Sequence, residues 1–512
     1  MASRILKNTA TVGFFTACSR VLGLVREMLQ SRFIGAGVEQ SAFTLAFAIP
    51  NMARKLFGEG ALTAAFVPVF KGELESASQE SARRLARAVM SMTMTMLVAA
   101  VAVIFIGLES VVQFRSELEL SSRLLLTVRL VKTLLPYMIF ICGAAFGMGV
   151  LNAMGRFKAS SMMPCLLNMV WIGMLIFIFF NPELRLDQRI HRVSMAILAA
   201  GALQMAFMFW RMKCAGMAVS FTFRGWRDEK TRRVWRNTAI GAVGAGAVQI
   251  NYMLDQVLGQ VAAPWAAGVI GYAERLMDLP LGVIGVAFGT VLLPTFAGFF
   301  AKNDLDGARD AFISSSSHML FVMLPAAFGL GVLAPEVTEV IYRGGAFDST
   351  AVVRVSRAVC AYAFGLGFFG LQKSLVPWFQ AQNDMKTPLR ISVKMVVLNA
   401  VLNILAVKFL PVEWRHVGLA VSTVLCAACG CVLLATAARR RNGALGFSRL
   451  LVPVGKMIVA SLAMSAVIFA LKIWVRLPPV ALLMLCIAVG SAVYFAGMSA
   501  MGMRPAFKKK RT

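Results

Sequence analysis

Ionisable residues fall inside stretches that are otherwise apolar. Arg20, Arg26 and Glu27 lie in the first such run, Arg54, Lys55 and Glu59 in the second, and Glu274, Arg275 and Asp278 in the eighth. Asp255 lies in the seventh, and Arg357 and Lys373 in the tenth. A charge at the centre of a membrane helix costs roughly 2.5–3.5 kcal/mol on insertion scales, so it normally faces a partner or a wet cavity. Helical spacing offers local partners. Arg20 and Glu27 return to one face after seven residues, Lys55 and Glu59 are an i,i+4 pair, and Arg275 and Asp278 are i,i+3. One reading is a set of structural ion pairs. The other is a cavity for an anion, because arginine's planar fork binds phosphate oxygens two at a time. Several arginines beside a few acids fit a pyrophosphate-bearing substrate and fit cationic drugs poorly.

A second set carries oxygen ligands. Asp255, Asn399, Asn403, Ser422 and Thr423 combine a carboxylate with amide and hydroxyl groups. Such donors suit a hard cation, and sodium is the expected ion. The alternative is hydrogen bonding of polar side chains between helices. Other constellations carry no chemistry. Gly241, Gly244 and Gly246 lack the Lys-Ser/Thr that completes a phosphate loop. Cys426, Cys429 and Cys431 lie in one apolar run without a partner His or a second Cys pair, so zinc spacing is absent. His191, His318 and His416 are scattered. The expectation is a transporter with no catalytic residues and no cofactor other than sodium.

The elements that position these residues are membrane helices. The chain has 512 residues, 59% of them hydrophobic and 15% charged, with a mean hydropathy of +0.74. Apolar runs of about twenty residues recur along it, the length that crosses a bilayer. We expect about fourteen, at 10–34, 41–70, 88–113, 123–153, 159–181, 193–211, 237–261, 268–300, 312–334, 350–381, 388–410, 417–438, 451–475 and 479–502. The first is read as a retained helix, since it carries charges and lacks a signal cleavage site. Pro50, Pro136, Pro280 and Pro377 fall within long runs and predict kinks there.

The net charge of +28 does not indicate nucleic acid, because its distribution follows the positive-inside rule. Arg83, Arg84 and Arg87, then Arg156 and Lys158, then Arg224 to Arg236, then Arg439 to Arg441, and finally Arg504 and Lys508 to Arg511 occupy alternate loops. The intervening loops hold isolated cations such as Arg115, Arg185, Arg343 and Arg415. Both termini are therefore expected in the cytoplasm. The chain also repeats. Residues 65–70 match 291–296 around Pro68 and Pro294, and residues 153–158 match 381–386, at offsets of 226 and 228. Two matches at nearly one offset argue for parallel six-helix halves around a central cavity. The expected organisation is 1–230 and 231–445 as the halves, with 446–512 as two extra helices and a basic tail.

Three stretches resemble the MurJ/MviN lipid II flippases of the multidrug/oligosaccharidyl-lipid/polysaccharide exporter superfamily. The first is Ser19-Arg20-Val21-Leu22-Gly23-Leu24-Val25-Arg26-Glu27 followed by Gly35-Ala36-Gly37. The second is Pro50-Asn51 with residues 54–61 (RKLFGEGA) and Ala65-Phe66-Val67-Pro68. The third runs from Glu274-Arg275-Leu276-Met277 to Leu292-Leu293-Pro294. The resemblance implies an all-helical flippase of the bacterial inner membrane, moving undecaprenyl-pyrophosphoryl-MurNAc-pentapeptide-GlcNAc outward for peptidoglycan synthesis. It places the cavity arginines at Arg20, Arg26, Arg54 and Arg275 and the cavity glutamate at Glu59. Ser19, Lys55 and Lys373 join the candidate substrate set. It further implies a lipid-tail groove at 451–502, membrane lipids and other cell-wall synthesis proteins as partners, and a sodium site on Asp255, Asn399, Asn403 and Thr423. Asn403 stands where the family has an acid. Ser41 stands where it often has aspartate, with Glu39 two residues earlier. The rival readings are a polysaccharide or O-antigen repeat-unit flippase, a drug/cation antiporter, for which acids should line the cavity, and a non-transporting membrane scaffold.

Overall fold

Backbone amides in hydrocarbon must bond within their own segment, so apolar runs of this length become helices. The computed structural model describes residues 2–58, 60–76, 78–113, 122–218 and 220–503. Among these the architecture is all helical, apart from one isolated bridge between Gly344 and Phe347. In chain order the helices are α1 (Ala2–Ile34), α2 (Val38–Ala53), a π-helical turn (Arg54–Gly58), α3 (Ala61–Ser76), α4 (Gln79–Gln113), α5 (Ser122–Leu134) and α6 (Tyr137–Ala153). There follow α7 (Phe157–Phe179), α8 (Leu186–Cys214), α9 (Glu229–Ala262), α10 (Ala266–Ala301), α11 (Leu305–Val332) and α12 (Ala334–Tyr342). The last are α13 (Ser349–Ala363), α14 (Leu366–Gln380), α15 (Lys386–Phe409), α16 (Val412–Asn442), α17 (Ser448–Trp474) and α18 (Pro479–Ala500). Among the described residues, nine spans are long and apolar enough to cross a membrane, or ten when the bent pair α13–α14 counts as one. The nine do not include α1, α9 and α10, which carry ionisable residues of the first, seventh and eighth runs.

Three expected single helices are broken. The 41–70 run divides at the π turn, one turn beyond Pro50, which itself lies inside α2. The 123–153 run pauses at Leu135 and Pro136, where Pro136 caps α6. The 350–381 run bends by 45° at Phe364 and Gly365 rather than at Pro377, which lies inside α14. Gly365 is the weak helix former at that point, and its amide makes a tightened bond to Tyr362. Pro280 likewise lies inside the unbroken α10. The basic tail from Arg504 onward, and Arg115, lie outside the described residues.

Two units form. The first comprises Met1–Gln260 with Gly344–Phe347, the second Val261–Arg343 with Asp348–Thr512. In the first, α1 runs along α7, α6 along α8, and α2 along α5. Trp171 meets Phe43 edge-on, with ring centroids 5.6 Å apart, in one apolar cluster. Phe66, Phe70 and Phe146 anchor another. In the second unit α11 packs on α17, and α15 on α16. Met457, Met464 and Tyr494 are central to the cluster that ties α17 and α18 to α11.

Candidate functional site

Arg26 is held by three neighbours. Its Nη1 donates to Asn168 Oδ1 at 3.0 Å, its Nη2 donates to Glu27, and the guanidinium carbon lies 4.4 Å from the Trp171 ring centroid. Asn168 also donates to the carbonyl of Ser19 at 3.1 Å, so Ser19 enters through its backbone. Trp171 Nε1 donates to Gln30 at 3.1 Å, and Gln30 donates to Gln40 at 3.0 Å. A polar network thus crosses α1, α2 and α7 inside an apolar unit. Glu27, which shares a helix face with Arg20, also accepts from the neighbouring Arg26, whose guanidinium reaches Asn168 and Trp171 on α7. Arg20 lies on an exposed part of α1.

Arg54 opens the π turn. Its Nε and Nη2 both donate to Asn51 Oδ1, at 3.1 and 3.0 Å, which orients the guanidinium through the preceding helical turn. The Lys55 ammonium lies 5.3 Å from the Tyr252 ring centroid on α9, within cation–π range. Glu59, the expected partner of Lys55, lies outside the described residues. Ser41 is fully buried and Glu39 half-buried. Sequence reading overlooked Asn51, Asn168, Trp171, Gln30 and Gln40 as members of this site. An asparagine, Asn168, inside the apolar run 159–181 was the available signal.

Arg275 and Lys373 belong to the second unit. Arg275 is half-buried on α10, and in the same unit the Tyr342 hydroxyl donates to the Tyr272 carbonyl at 3.3 Å. Lys373 is exposed on α14. The same unit brings together three of the expected cation ligands. Asn403 Nδ2 donates to Asn399 Oδ1 at 2.8 Å, and Asn399 Nδ2 approaches Thr423 Oγ1 at 3.4 Å. Both asparagines are fully buried. Asp255 lies in the first unit, where Asn251 donates to it at 3.4 Å. The amide and hydroxyl oxygens of Asn399, Asn403 and Thr423 have the hard-donor character that sodium requires.

Two apolar cavities lie within the second unit. One, of about 540 Å³, is bounded by α11, α13, α14 and α17, with Phe328, Phe364 and Val454 in its wall. The other, of about 400 Å³, is bounded by α10, α11, α12, α17 and α18, with Pro280, Met464 and Phe495 in its wall.

Comparison with known proteins follows the same outline. A family profile described as "Lipid II flippase MurJ" matches residues 30–488. A Rhizobium tropici protein named "Probable lipid II flippase MurJ" is 32% identical over 407 residues, covering 78% of this chain and 75% of its own. A Burkholderia cenocepacia protein named "Lipid II flippase MurJ" is 30% identical over 524 residues, covering 98% of each. A solved structure titled "Lipid II flippase MurJ, inward closed conformation" superposes with a TM-score of 0.77 at 22% identity, over 96% of this chain and 98% of that one, and so shares the fold.

Proposed function

This chain belongs to the MurJ lipid II flippase family, and from that premise we propose that it carries lipid II from the inner to the outer leaflet of the bacterial cytoplasmic membrane. The match across residues 30–488 carries this reading. The arginine set supports it, since Arg26 and Arg54 are each oriented by an asparagine in an otherwise apolar setting. We assign the pyrophosphate to Arg20, Arg26, Arg54 and Arg275, assisted by Ser19, Lys55, Glu59 and Lys373. The apolar cavities beside α17 and α18 support a groove for the polyprenyl tail at 451–502. The proposed arrangement is fourteen spans in two parallel six-helix repeats, 1–230 and 231–445, followed by the extra pair in 446–512. Both termini are cytoplasmic, transport proceeds by alternating access, and the protein catalyses no covalent step. Sodium, bound by Asp255, Asn399, Asn403 and Thr423, or the membrane potential supplies the drive, the latter worth about 2.3 kcal/mol per charge per 100 mV.

The test is complementation of a depleted strain, with lipid II orientation and membrane protein level measured together. A charge-assisted hydrogen bond contributes about 1.5–3 kcal/mol, so Arg26→Ala or Arg54→Ala should weaken substrate binding roughly tenfold to a hundredfold. Arg54→Lys keeps the charge, loses the fork and should also be impaired. Normal growth of every arginine variant at normal protein level would remove the pyrophosphate assignment. Depletion without accumulation of inward-facing lipid II would overturn the substrate. Loss of a sodium-dependent thermal shift in Asp255→Ala is the expected result for the ion site, and an unchanged shift would assign these residues to packing.

A further inference from the structure

The segment between α8 and α9 has a chemistry that transport does not use. From Arg211 to Arg236 the chain holds eight basic residues against two acids, Asp228 and Glu229, a local net charge of +6. Within it Phe221 and Phe223 are exposed at 55% and 66%. Their rings meet edge-on at 4.9 Å, and Phe223 packs on Trp226 at 5.2 Å. Arg224 and Arg227 are exposed beside them. An aromatic cluster in water with cations around it is amphipathic in the sense that favours the lipid–water boundary.

Its backbone is pinned. Arg83 Nε donates to the Gly216 carbonyl at 3.1 Å, Arg87 Nε to the Ala218 carbonyl at 3.4 Å, and Thr222 N to Ser91 Oγ at 2.9 Å. Residues 83, 87 and 91 form one stripe along α4 at four-residue steps. The Trp226 indole then donates to the Thr222 carbonyl at 3.2 Å. On either side of Thr222, Phe221 and Phe223 stay exposed. The level is set by α8, a candidate membrane span that ends at Cys214. Near that end Trp210 is 56% exposed, with Arg211 stacked 5.5 Å from its ring centroid.

We propose that this aromatic and arginine cluster seats on anionic phospholipid head groups at the bilayer surface, phosphodiesters bonding Arg224 and Arg227 while Phe221 and Phe223 enter the boundary layer. The charge supplies the complementarity, and the end of α8 supplies the depth. The inference rests on α8 as a membrane span and is independent of which substrate is carried.

Hydrogen exchange of the full-length protein tests it, in nanodiscs of phosphatidylcholine alone and of an equimolar mixture with phosphatidylglycerol. Amides of 220–228 should be protected in the mixture relative to phosphatidylcholine, and high salt should erase the difference. A surface cation is worth about 1 kcal/mol near anionic lipid. Arg224→Glu with Arg227→Glu should therefore weaken the phosphatidylglycerol titration at least roughly thirtyfold. Phe221→Ser with Phe223→Ser should weaken it with all charges kept. Equal protection in the two lipids, or an unchanged titration in both variants, would overturn the proposal. Inorganic phosphate at matched ionic strength should give no protection; if it reproduced the effect in phosphatidylcholine discs, the segment would be a phosphate site and the bilayer assignment would fall.

Discussion

Glu27 accepts from the guanidinium of the residue beside it, and the pair is largely enclosed, at 16% and 11% side-chain exposure. Adjacent residues on a helix do not ordinarily face each other; Asn168 and Trp171 on α7 turn the guanidinium toward Glu27. Breaking an enclosed pair by removing one partner costs about 3–5 kcal/mol, because it strands the other charge. Glu27→Ala should therefore lower the thermal unfolding midpoint and the membrane level. Glu27→Ala combined with Arg26→Met should recover most of that stability but no transport, since the cation is then gone. Equal stability in the single and double variants would refute the coupling. The arginines and the glutamate were legible in the sequence as costly residues in apolar runs. Their pairing was not, because it depends on side chains of a helix that starts more than a hundred residues later.

Two elements meet where glycine is required. Gly35, just past α1, has φ +77°, and Gly345 has φ +55°. A Cβ on Gly345 would lie 2.2 Å from the Arg32 carbonyl oxygen, and one on Gly35 would lie 2.5 Å from the Ala346 oxygen. Ala346 N donates to the Arg32 carbonyl at 2.8 Å across this contact. Gly345→Ala should force the segment off α1, at a cost of about 1–3 kcal/mol, and accelerate hydrogen exchange at Ala346. Unchanged exchange there would show that the backbone can yield. The sequence placed Gly35 directly after the 10–34 run and within a motif; its contact with residues so distant in the chain was not legible there. A second element-scale test concerns the ends of α3, α4 and α9. The Lys230 ammonium, 2.7 Å away, and the Ser81 hydroxyl hold the Glu73 carboxyl below its ordinary range. A depressed carboxyl stabilises the fold fully above its unfolded pKa and loses that contribution as pH falls through the folded value. Scanned downward from roughly pH 6, the midpoint should fall less in Glu73→Gln than in the parent. Parallel curves would mean that the contact contributes no linked stability.

At the scale of the molecule, the loop charges predict which side each end occupies. A reporter active only in the periplasm should stay silent when fused after Arg441 or at the C-terminus, since dense basic charge is retained inside. Activity at either fusion would overturn the proposed count of spans. The residues proposed to hold sodium are brought together at this scale. Asn399 and Asn403 were legible as one face of α15, four residues apart. That Asn403 donates to Asn399, and Asn399 to Thr423, depends on α15 packing along α16.

The sequence by itself determined that this is an all-helical, multi-span membrane protein of its family. Hydrocarbon leaves the backbone no other way to satisfy its amides, and the Arg20, Arg54 and Glu274 stretches are local motifs. Only the tertiary structure decided where the long runs break, that Asn51 and Asn168 orient two of the arginines, and that Arg26 bonds Glu27. Which neighbour a charge finds is set by helices that pack from distant parts of the chain, and periodicity along one helix carries no record of them.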